Sequence, residues 1–505
     1  MTYTLADFFC GAGGSSTGAA QVPGVTIRAA ANHWRLAVDT HNTNHPDADH
    51  VCADLSQYDP RYFPRTTLGW FSPECTWHSR AKGRKLPDAQ AGLWDATLPD
   101  EAAQRSRATM WDVVRFTEFH RYQAVFVENV VEVASWPPFT AWLSSMEAYG
   151  YDWRIVNLNS MHAQWQGAPA PQSRDRIYVV FWRKGNRAPD LDEMQRPVAW
   201  CDGCGELVRS RQWWKKPVTR LTVGRYRSQY LYRCPNTRCR NQVVEPAWLP
   251  AASIIDWSNR GQRIGDRDKP LAAKTRARIA AGIARYWHPI HLEAGGHQYD
   301  AADPKHVSHG DPNGYYRAWS VTDPLKTLHT IESKGLAIPV EGRADVDRAR
   351  PTVQPLRTQN TRLETGLAMP PFVAELRGGG STARPVSEAL ATITASGNHH
   401  GLVTRMNNTR GDQSHLTTPA WEVMRTITTA GHQAVLTPGD IKAAEAQVDD
   451  VMFRMLEPSE AKRGMAFPDE YVVLGNRREQ VRMAGNAVTP PAARDLVAAV
   501  VATLN

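Results

Sequence analysis

Three short stretches hold residues whose chemistry goes beyond packing. FSPECTWHS (71–79) sets Cys75 just past an apolar run, TLGWF, where the chain turns into a loop. AVFVENV (124–130) ends on Glu128 and Asn129, and QSRDR (172–176) offers Gln172, Arg174 and Arg176. A thiolate is an effective protein nucleophile, and cationic surroundings favour that form of cysteine. A cysteine, a carboxylate and two arginines converging on one rim would therefore suit covalent catalysis. Singly, each has an ordinary reading: a buried cysteine is usually inert, and Glu128 can pair with any Lys or Arg. As a set they are harder to dismiss.

A second constellation is the C-x2-C…C-x4-C pattern of Cys201, Cys204, Cys234 and Cys239. Four of the seven cysteines fall within 39 residues, so chance clustering is a poor explanation. Two close pairs are what a tetrahedral all-thiolate zinc site requires, and CDGCG has the glycines of a tight knuckle. Unrelated thiols or a redox pair are the alternatives. Four thiolates leave no open coordination position, so the expected zinc is structural. Between the pairs lie Arg209, Arg211, Lys215, Lys216, Arg220, Arg225, Arg227 and Arg233, against one acid, Glu206. Trp213, Trp214, Tyr226, Tyr230 and Tyr232 interleave with them. Basic charge with planar side chains is a nucleic-acid signature, although the aromatics of a zinc-stapled hairpin can equally form its small core.

The elements that must position the first set read as strands alternating with helices. YTLADFF (3–9) runs into GAGGSSTGAAQ, a strand, a glycine turn and a helix start with Ser15, Ser16 and Thr17 as cap candidates. Gly11, Gly13 and Gly14 would let the backbone approach a ligand closely, or simply let a helix pack close to a strand. The spacing fits neither G-x-G-x-x-G nor a P-loop. TIRAAAN (26–32), VCADL (51–55), TLGWFS (67–72), AVFVENV (124–130) and DRIYVVFWR (175–183) are the further strands, with helices from Trp34 and over 106–121. The basic stretch 80–105 reads as a loop, either mobile over a substrate or merely solvated. The expected fold is α/β, a doubly wound, mostly parallel sheet whose ligands sit beyond the C-terminal strand ends, with a large mainly-β, zinc-containing second domain.

A chain of 505 residues exceeds one ordinary core, so two or more domains are expected. With 42% hydrophobic and 22% charged residues the composition is that of a globular protein. No apolar run approaches the ~18 residues of a membrane span, and MTYTLADFFCGAGG is no signal peptide. Cytoplasmic residence with reduced thiols is the expectation, in a bacterial or phage-infected cell and on its nucleoid. A net charge of +8 mildly favours a polyanionic partner. Further on, DPLKTLHT, QPLRTQNT, EALATITA and EVMRTITT form a loose repeat. Leu325, Leu356, Leu390 and Met424 mark it at steps of 31, 34 and 34. Threonine-rich alternation ending in glycine reads as small β-units, serving as a scaffold or lining a DNA groove.

Taken in order, these segments resemble the cytosine-C5 DNA methyltransferases. DFFCGAGGSSTG resembles their cofactor loop, the Cys75 segment their Pro-Cys nucleophile loop, FVENV their Glu-Asn-Val motif and QSRDR their Gln-x-Arg-x-Arg. At the far end, RMLEPSEAKRGMAFPDEY and GNAVTPPAARDLV are similar to the segments that reopen and complete the catalytic domain. The resemblance covers about 1–185 and 450–505. It implies a catalytic domain made of 1–185 and 450–505, and a target-recognition region over 186–449 that holds the zinc knuckle (201–239) and the repeats (about 320–436). Glu74 stands between Pro73 and Cys75, and NHW places His33 where the family has an acid.

The resemblance implies S-adenosylmethionine as cofactor and a flipped-out cytosine in duplex DNA as substrate, handled by a monomer. Cys75 would attack C6, Glu128 serve N3 and the amino edge, Arg176 hold O2 and Arg174 orient the loop. Phe9, Gly11, Gly13 and Gly14 would face the methionine part, Trp34 stack on the adenine, and Asp54 meet its amino group. His33 would take the ribose hydroxyls, and Asn486 and Val488 would close the site. A tRNA cytosine methyltransferase and an inactive zinc-dependent DNA-binding protein on the same fold are the alternatives. Protection of a host genome beside a nuclease, or marking of a phage genome, are the expected settings.

Overall fold

The computed structural model describes residues 2–74, 101–259, 261–273, 275–277, 279–280 and 448–504, and the strands at 290–292, 318–320, 331–337, 372–375, 390–391 and 397–405. For 101–108, Asp450 and those six strands only the backbone is described. Cys75 and the rest of 75–100 therefore lie outside the described residues. Two compact units emerge: Met1–Leu249 with Ala391–Ser396 and Ala461–Asn505, and Pro250–Leu390 with Gly397–Glu460.

The first unit is built on β1 (Tyr3–Phe8), α1 (Gly14–Ala20), β2 (Val25–Asn32), α2 (Arg35–Asn44), β3 (Asp49–Cys52) and β4 (Leu68–Phe71). It continues with α3 (Glu101–His120), β5 (Ala124–Asn129), α4 (Phe139–Ala148), β6 (Tyr151–Asn159), the two-residue β7 (Gln172–Ser173) and β8 (Asp175–Arg183). Seven strands form one sheet in the order β3-β2-β1-β4-β5-β8-β6, in which β8 alone runs antiparallel. This is the doubly wound, mostly parallel sheet of the class I methyltransferase fold.

Strand β5 shows why these residues make a central strand. All six are buried, with Val125 and Val127 in one core cluster and Ala124 and Phe126 in the other, the period-two division of a strand covered on both faces. Helices α3 and α4 cover the first face through Met110, Val113, Phe116 and Trp142. The second face takes Leu496, Val497 and Val500 of the C-terminal helix α7 (Pro490–Val501), which follows α6 (Arg477–Asn486).

Two local expectations change. Ser15, Ser16 and Thr17 do not cap α1; Gly13 is the N-cap, at φ 82°, and the three hydroxyls lie inside the helix. Ser15 and Ser16 donate instead to Asp7 Oδ2, at 2.5 and 2.6 Å, because a buried carboxylate is the better acceptor. Helix α3 begins at Glu101, inside the expected 80–105 loop, since EAAQR are strong helix formers. Strand β6, which the sequence reading did not expect, alternates Tyr151, Trp153 and Ile155 with Asp152 and Arg154 before becoming fully buried.

The same unit runs on through α5 (Leu191–Met194) into the cysteine segment. There β9 (Val198–Cys201) pairs with β10 (Glu206–Arg209), and β11 (Arg211–Trp214), β12 (Tyr230–Arg233) and β13 (Val243–Val244) form a small antiparallel sheet.

The second unit holds a sheet in the order Gln262–Arg263, Val451–Met455, Ile331–Ala337, Phe372–Glu375, Gly397–Arg405, Ile290–Leu292, Ala318–Ser320. Two repeat copies meet in it: Ile331–Ala337 and Gly397–Arg405 pair in parallel, with Gly335 opposite Gly401 and Leu336 opposite Leu402. Leu390 begins a two-residue strand, while Leu325, Leu356 and Met424 lie outside the described residues.

Candidate functional site

The C-terminal ends of the central strands form one rim. Phe8 is in register with Ala31 and Phe71, and Phe71 with Val127. Phe9, Ser72 and Glu128 therefore start the rim side by side, where ligands of a doubly wound sheet bind. Glu128 closes β5 and sits opposite Tyr178 of β8, two residues from Arg176. Arg176 Nε donates to Glu128 Oε1 at 2.9 Å, and each side chain is only 11% exposed. A guanidinium with further N–H groups beside a carboxylate with a second oxygen offers a planar polar ligand both donors and an acceptor. The approach to Cys75 is anchored next to this pair. Asn129 Nδ2 donates to the Pro73 carbonyl at 3.3 Å, and the Ser72 N–H to the Phe8 carbonyl at 3.1 Å.

Arg174 faces elsewhere. Its guanidinium donates to the carbonyls of Gly485 and Ala487, at 3.2 and 3.1 Å, and so brackets Asn486. Asn486 is exposed, and Val488 is buried against the glycine loop. A Cβ on Gly14 would lie 1.9 Å from the Val488 carbonyl, and one on Gly18 2.1 Å from that of Pro490. Those glycines serve the close approach of the C-terminal segment. Gly11 differs: at φ 51° a Cβ there would meet no atom within 4 Å, so the loop opens at this point. Phe9, at φ 58°, also takes the left-handed conformation.

Around the open loop stand groups suited to a nucleoside. Trp34 is half-buried, with the Arg482 guanidinium 4.7 Å from its ring on one face. Asp54 is exposed and accepts from the Ser56 N–H and Gln57 Nε2, both at 3.1 Å, which leaves lone pairs for a further donor. His33 Nδ1 lies 3.6 Å from Glu74 Oε1. An aromatic face, a carboxylate and an imidazole beside a glycine-opened loop fit S-adenosylmethionine.

Behind the loop is a chain of buried groups that motif reading missed. Asp7 has no exposure, and burial pushes its carboxyl up to about 6 despite the two serine donors. The Ser16 hydroxyl also meets His41 Nε2 at 2.9 Å, and His41 Nδ1 meets His50 Nε2 at 2.8 Å. Burial lowers His41 well below the ordinary histidine range and His45 to about 4, so both are neutral at pH 7. The spacing of His41, His45 and His50 in HNTNHPDADH was the available signal.

The four cysteines converge: their sulfurs all lie within 4.8 Å of one another, the one such metal-competent group among the described residues. Cys204 Sγ and Cys234 Sγ are 3.8 Å apart. Zn–S bonds of ~2.3 Å in a tetrahedron place two sulfurs ~3.8 Å apart, so the spacing fits the ion. Hydrogen bonds from Arg238 and then Asn236 lower Cys204 to about 6, toward the thiolate a metal needs. Gly205, at φ 66°, lets its N–H and that of Cys204 both reach the Cys201 carbonyl.

The interleaved basic and aromatic residues divide in a way the local sequence did not show. Tyr226, Tyr230 and Tyr232 are buried, with His162 edge-on to Tyr226 and Tyr232 at 4.6 and 5.0 Å. Arg209, Arg220, Arg225 and Arg227 pair with Glu193, Glu147 and Asp152, Glu132, and Glu245. Those acids come from outside the Cys204–Cys234 interval, so a count within it overstated the free charge. Trp213 stays 52% exposed, with the Arg233 guanidinium 5.1 Å from its ring, and Arg211, Lys215 and Lys216 are exposed.

No helix of the described residues is long and apolar enough to cross a membrane. Among solved structures the chain is similar to an Entamoeba histolytica methyltransferase, EhMeth, at 10% identity and TM-score 0.45, over 100% of this chain and 99% of that one. It is also similar to a Spodoptera frugiperda DNMT2 mutant, at 11% identity and TM-score 0.43, over 99% and 100% of the two chains. A putative DNA modification methyltransferase encoded within an E. coli prophage matches at 12% identity and TM-score 0.41, over 100% of both chains. No curated protein matches significantly. The family model for C-5 cytosine-specific DNA methylase matches residues 3–199 and 377–502, more than half of the sequence, on the same segments that build the rim and the glycine loop. The chain belongs to the C-5 cytosine-specific DNA methylase family.

Proposed function

We propose that this chain is a DNA (cytosine-5-)-methyltransferase that acts on a flipped-out cytosine through a covalent bond between Cys75 and ring carbon C6. The observation that carries the reading is the Glu128–Arg176 pair at the rim, 2.9 Å apart and one strand from the anchored Pro73 that leads to Cys75. Arg176 holds the O2 edge of the ring, and Glu128 binds N3 and the amino edge. A proton carried by the Glu128 carboxyl and donated to N3 draws electrons out of the ring and makes C6 electrophilic. The Cys75 thiolate adds there, and the electron pair displaced from the C5–C6 double bond makes C5 nucleophilic. S-adenosylmethionine, when bound, supplies an electrophilic methyl group for C5. A water molecule then takes the C5 proton, and the C5–H electron pair re-forms the C5–C6 double bond as the C6–S bond breaks, which expels the Cys75 thiolate.

Phe9, Gly11, Gly13 and Gly14 line the methionine end of the cofactor, with Trp34 on the adenine, Asp54 at its amino group and His33 at the ribose. Arg174 keeps Asn486 and Val488 in place by gripping the carbonyls on either side of Asn486. Cys201, Cys204, Cys234 and Cys239 hold a structural zinc, and residues 186–449 select the target sequence in duplex DNA. The exposed Trp213 and the unburied cations near it suit contact with that polyanion.

The test is an adduct assay with purified protein, labelled S-adenosylmethionine and duplex DNA carrying 5-fluorocytosine, with tRNA as the competing substrate. A covalent adduct on DNA with wild type, absent with Cys75→Ser, is expected. An adduct on tRNA alone overturns the DNA assignment. Cofactor binding without any adduct overturns the enzyme reading.

A further inference from the structure

The cysteine module is attached to the catalytic strand at the residue next to Arg176. The Tyr226 N–H, from the loop between the cysteine pairs, donates to Asp175 Oδ1 at 3.0 Å. Asp175 opens β8, and its own carbonyl accepts from Arg176 Nη1 at 2.9 Å. The same loop is clasped by Asn157, whose Oδ1 accepts from the Gly224 N–H at 2.9 Å and whose Nδ2 donates to the Thr222 carbonyl at 3.0 Å. Gln212 Nε2 of β11 donates to the Asn157 carbonyl at 2.8 Å, and Arg225 ion-pairs with Glu132. Asn157 lies in β6, where the register sets Asn159 opposite Asp175 and Leu158 opposite Arg176. The ties to Asp175 and Asn157 converge on the strand pair that carries Arg176, and the Arg225–Glu132 pair adds one to the turn after β5.

The module end of the connection is equally short. Tyr226 bridges to Tyr230, and the Arg227 N–H donates to the Tyr230 carbonyl at 2.8 Å. Tyr230 begins β12, and Cys234 is the residue after that strand ends. Metal binding at a four-thiolate site is coupled to folding, so the ion's binding energy adds to what holds β12 and its loop in shape. We propose that the module is a metal-dependent positioning element for the base-binding arginine, with Asp175 as the residue through which it acts. Metal at Cys201, Cys204, Cys234 and Cys239 fixes β12, β12 fixes Tyr226, Tyr226 fixes Asp175, and Asp175 sets Arg176 against Glu128. The inference rests on the functional reading of Arg176, but the mechanical connection does not.

Coupling of this kind is reciprocal: if metal steadies Asp175, then Asp175 steadies the metal. The experiment uses full-length zinc-loaded protein as wild type, Asp175→Asn and Asp175→Ala. Asn keeps an Oδ1 acceptor for the Tyr226 N–H, whereas Ala has none. Three quantities are read: the rate of zinc transfer to a chromogenic chelator, kcat and KM for methyl transfer to duplex DNA, and the Kd for S-adenosylmethionine. D175A is expected to lose zinc about 5-fold faster or more, with a kcat loss of similar size and cofactor Kd within about twofold. D175N should stay near wild type on all three. Zinc release from D175A at the wild-type rate overturns the proposal, as does D175N falling as far as D175A. A collapse of cofactor binding in D175A alone would mark a general structural role and also overturn it. Should D175A not fold, Asn157→Ala, which removes both loop clasps, must show the same accelerated release. A wild type that transfers no methyl group to DNA removes the functional reading, while the zinc-release rates still decide the coupling.

Discussion

His33 and Glu74 face each other, with Nδ1 and Oε1 3.6 Å apart, the imidazole rising from the end of β2 and the carboxylate from the segment that leads to Cys75. These are the two positions at which the chain departs from its family's motifs, and they are neighbours. The Glu74 carboxylate is thereby engaged at the cofactor side of the rim. At 54% and 40% side-chain exposure the pair contributes little to stability, about 0–1 kcal/mol. His33→Ala is expected to leave the melting temperature unchanged and to weaken S-adenosylmethionine binding by about tenfold, the loss of one hydrogen bond to a ribose hydroxyl. Isothermal titration reads this directly. An unchanged Kd would remove His33 from the cofactor site.

Asp7 makes stability depend on pH. Its carboxyl is raised from the ordinary 3.8 to about 6, so the folded chain holds that proton more tightly than the unfolded one. The associated stability is full below about pH 4 and is lost as pH rises through 6. At pH 8 the fold carries a buried charge whose Oδ1 has no hydrogen-bond partner among the described residues. Asp7→Asn keeps an acceptor for Ser15 and Ser16 without that charge. It should therefore stabilise the fold at pH 8 by on the order of 2–3 kcal/mol, seen as a higher melting temperature, and match wild type near pH 4. Thermal unfolding across that range decides the matter. A D7N protein less stable than wild type at pH 8 would show that burying the unpaired amide N–H groups costs more than burying the charge.

The rim was legible in the sequence because strand ends and motif residues coincide there. AVFVEN is buried on both faces, so its last polar residues had to project at the edge, and DRIYVVFWR matches β8 residue for residue. What stayed hidden depended on partners distant in sequence. Arg225 and Arg220 read as free cations until Glu132, Glu147 and Asp152 came beside them. Ser15 and Ser16 carried the composition of helix caps, but Asp7, eight and nine residues back, claimed both hydroxyls. Tyr226 belongs to no recognisable motif and Asp175 is only a variable position within QSRDR; a backbone N–H joins them across 51 positions, and no periodicity reports such a contact.

Zinc content follows from the sulfur spacing. Purified protein should carry one zinc per chain by atomic emission. Cys234→Ser should lose it, because the buried Cys234 sits 3.8 Å from Cys204 and anchors the end of β12. The same variant should expose the Tyr226, Tyr230 and Tyr232 cluster, seen as a rise in tyrosine accessibility by near-ultraviolet spectroscopy. Full metal occupancy in the serine variant would exclude Cys234 as a ligand.

Glu128 and Arg176 separate chemistry from stability. Gln at 128 keeps an oxygen to accept from Arg176 Nε but cannot exchange a proton with N3 of the base. E128Q is therefore expected to melt within a few degrees of wild type while methyl transfer falls by about 10²-fold or more. Arg176→Ala differs in kind, because it strips the partner seen 2.9 Å from a carboxylate whose residue is only 8% exposed. Losing one side of such a buried pair costs about 3–5 kcal/mol, so R176A should lower the melting temperature as well as the rate. Steady-state kinetics and thermal unfolding on the two variants give the comparison. Full activity in E128Q would take the carboxylate out of the reaction and leave Arg176 to hold the base alone.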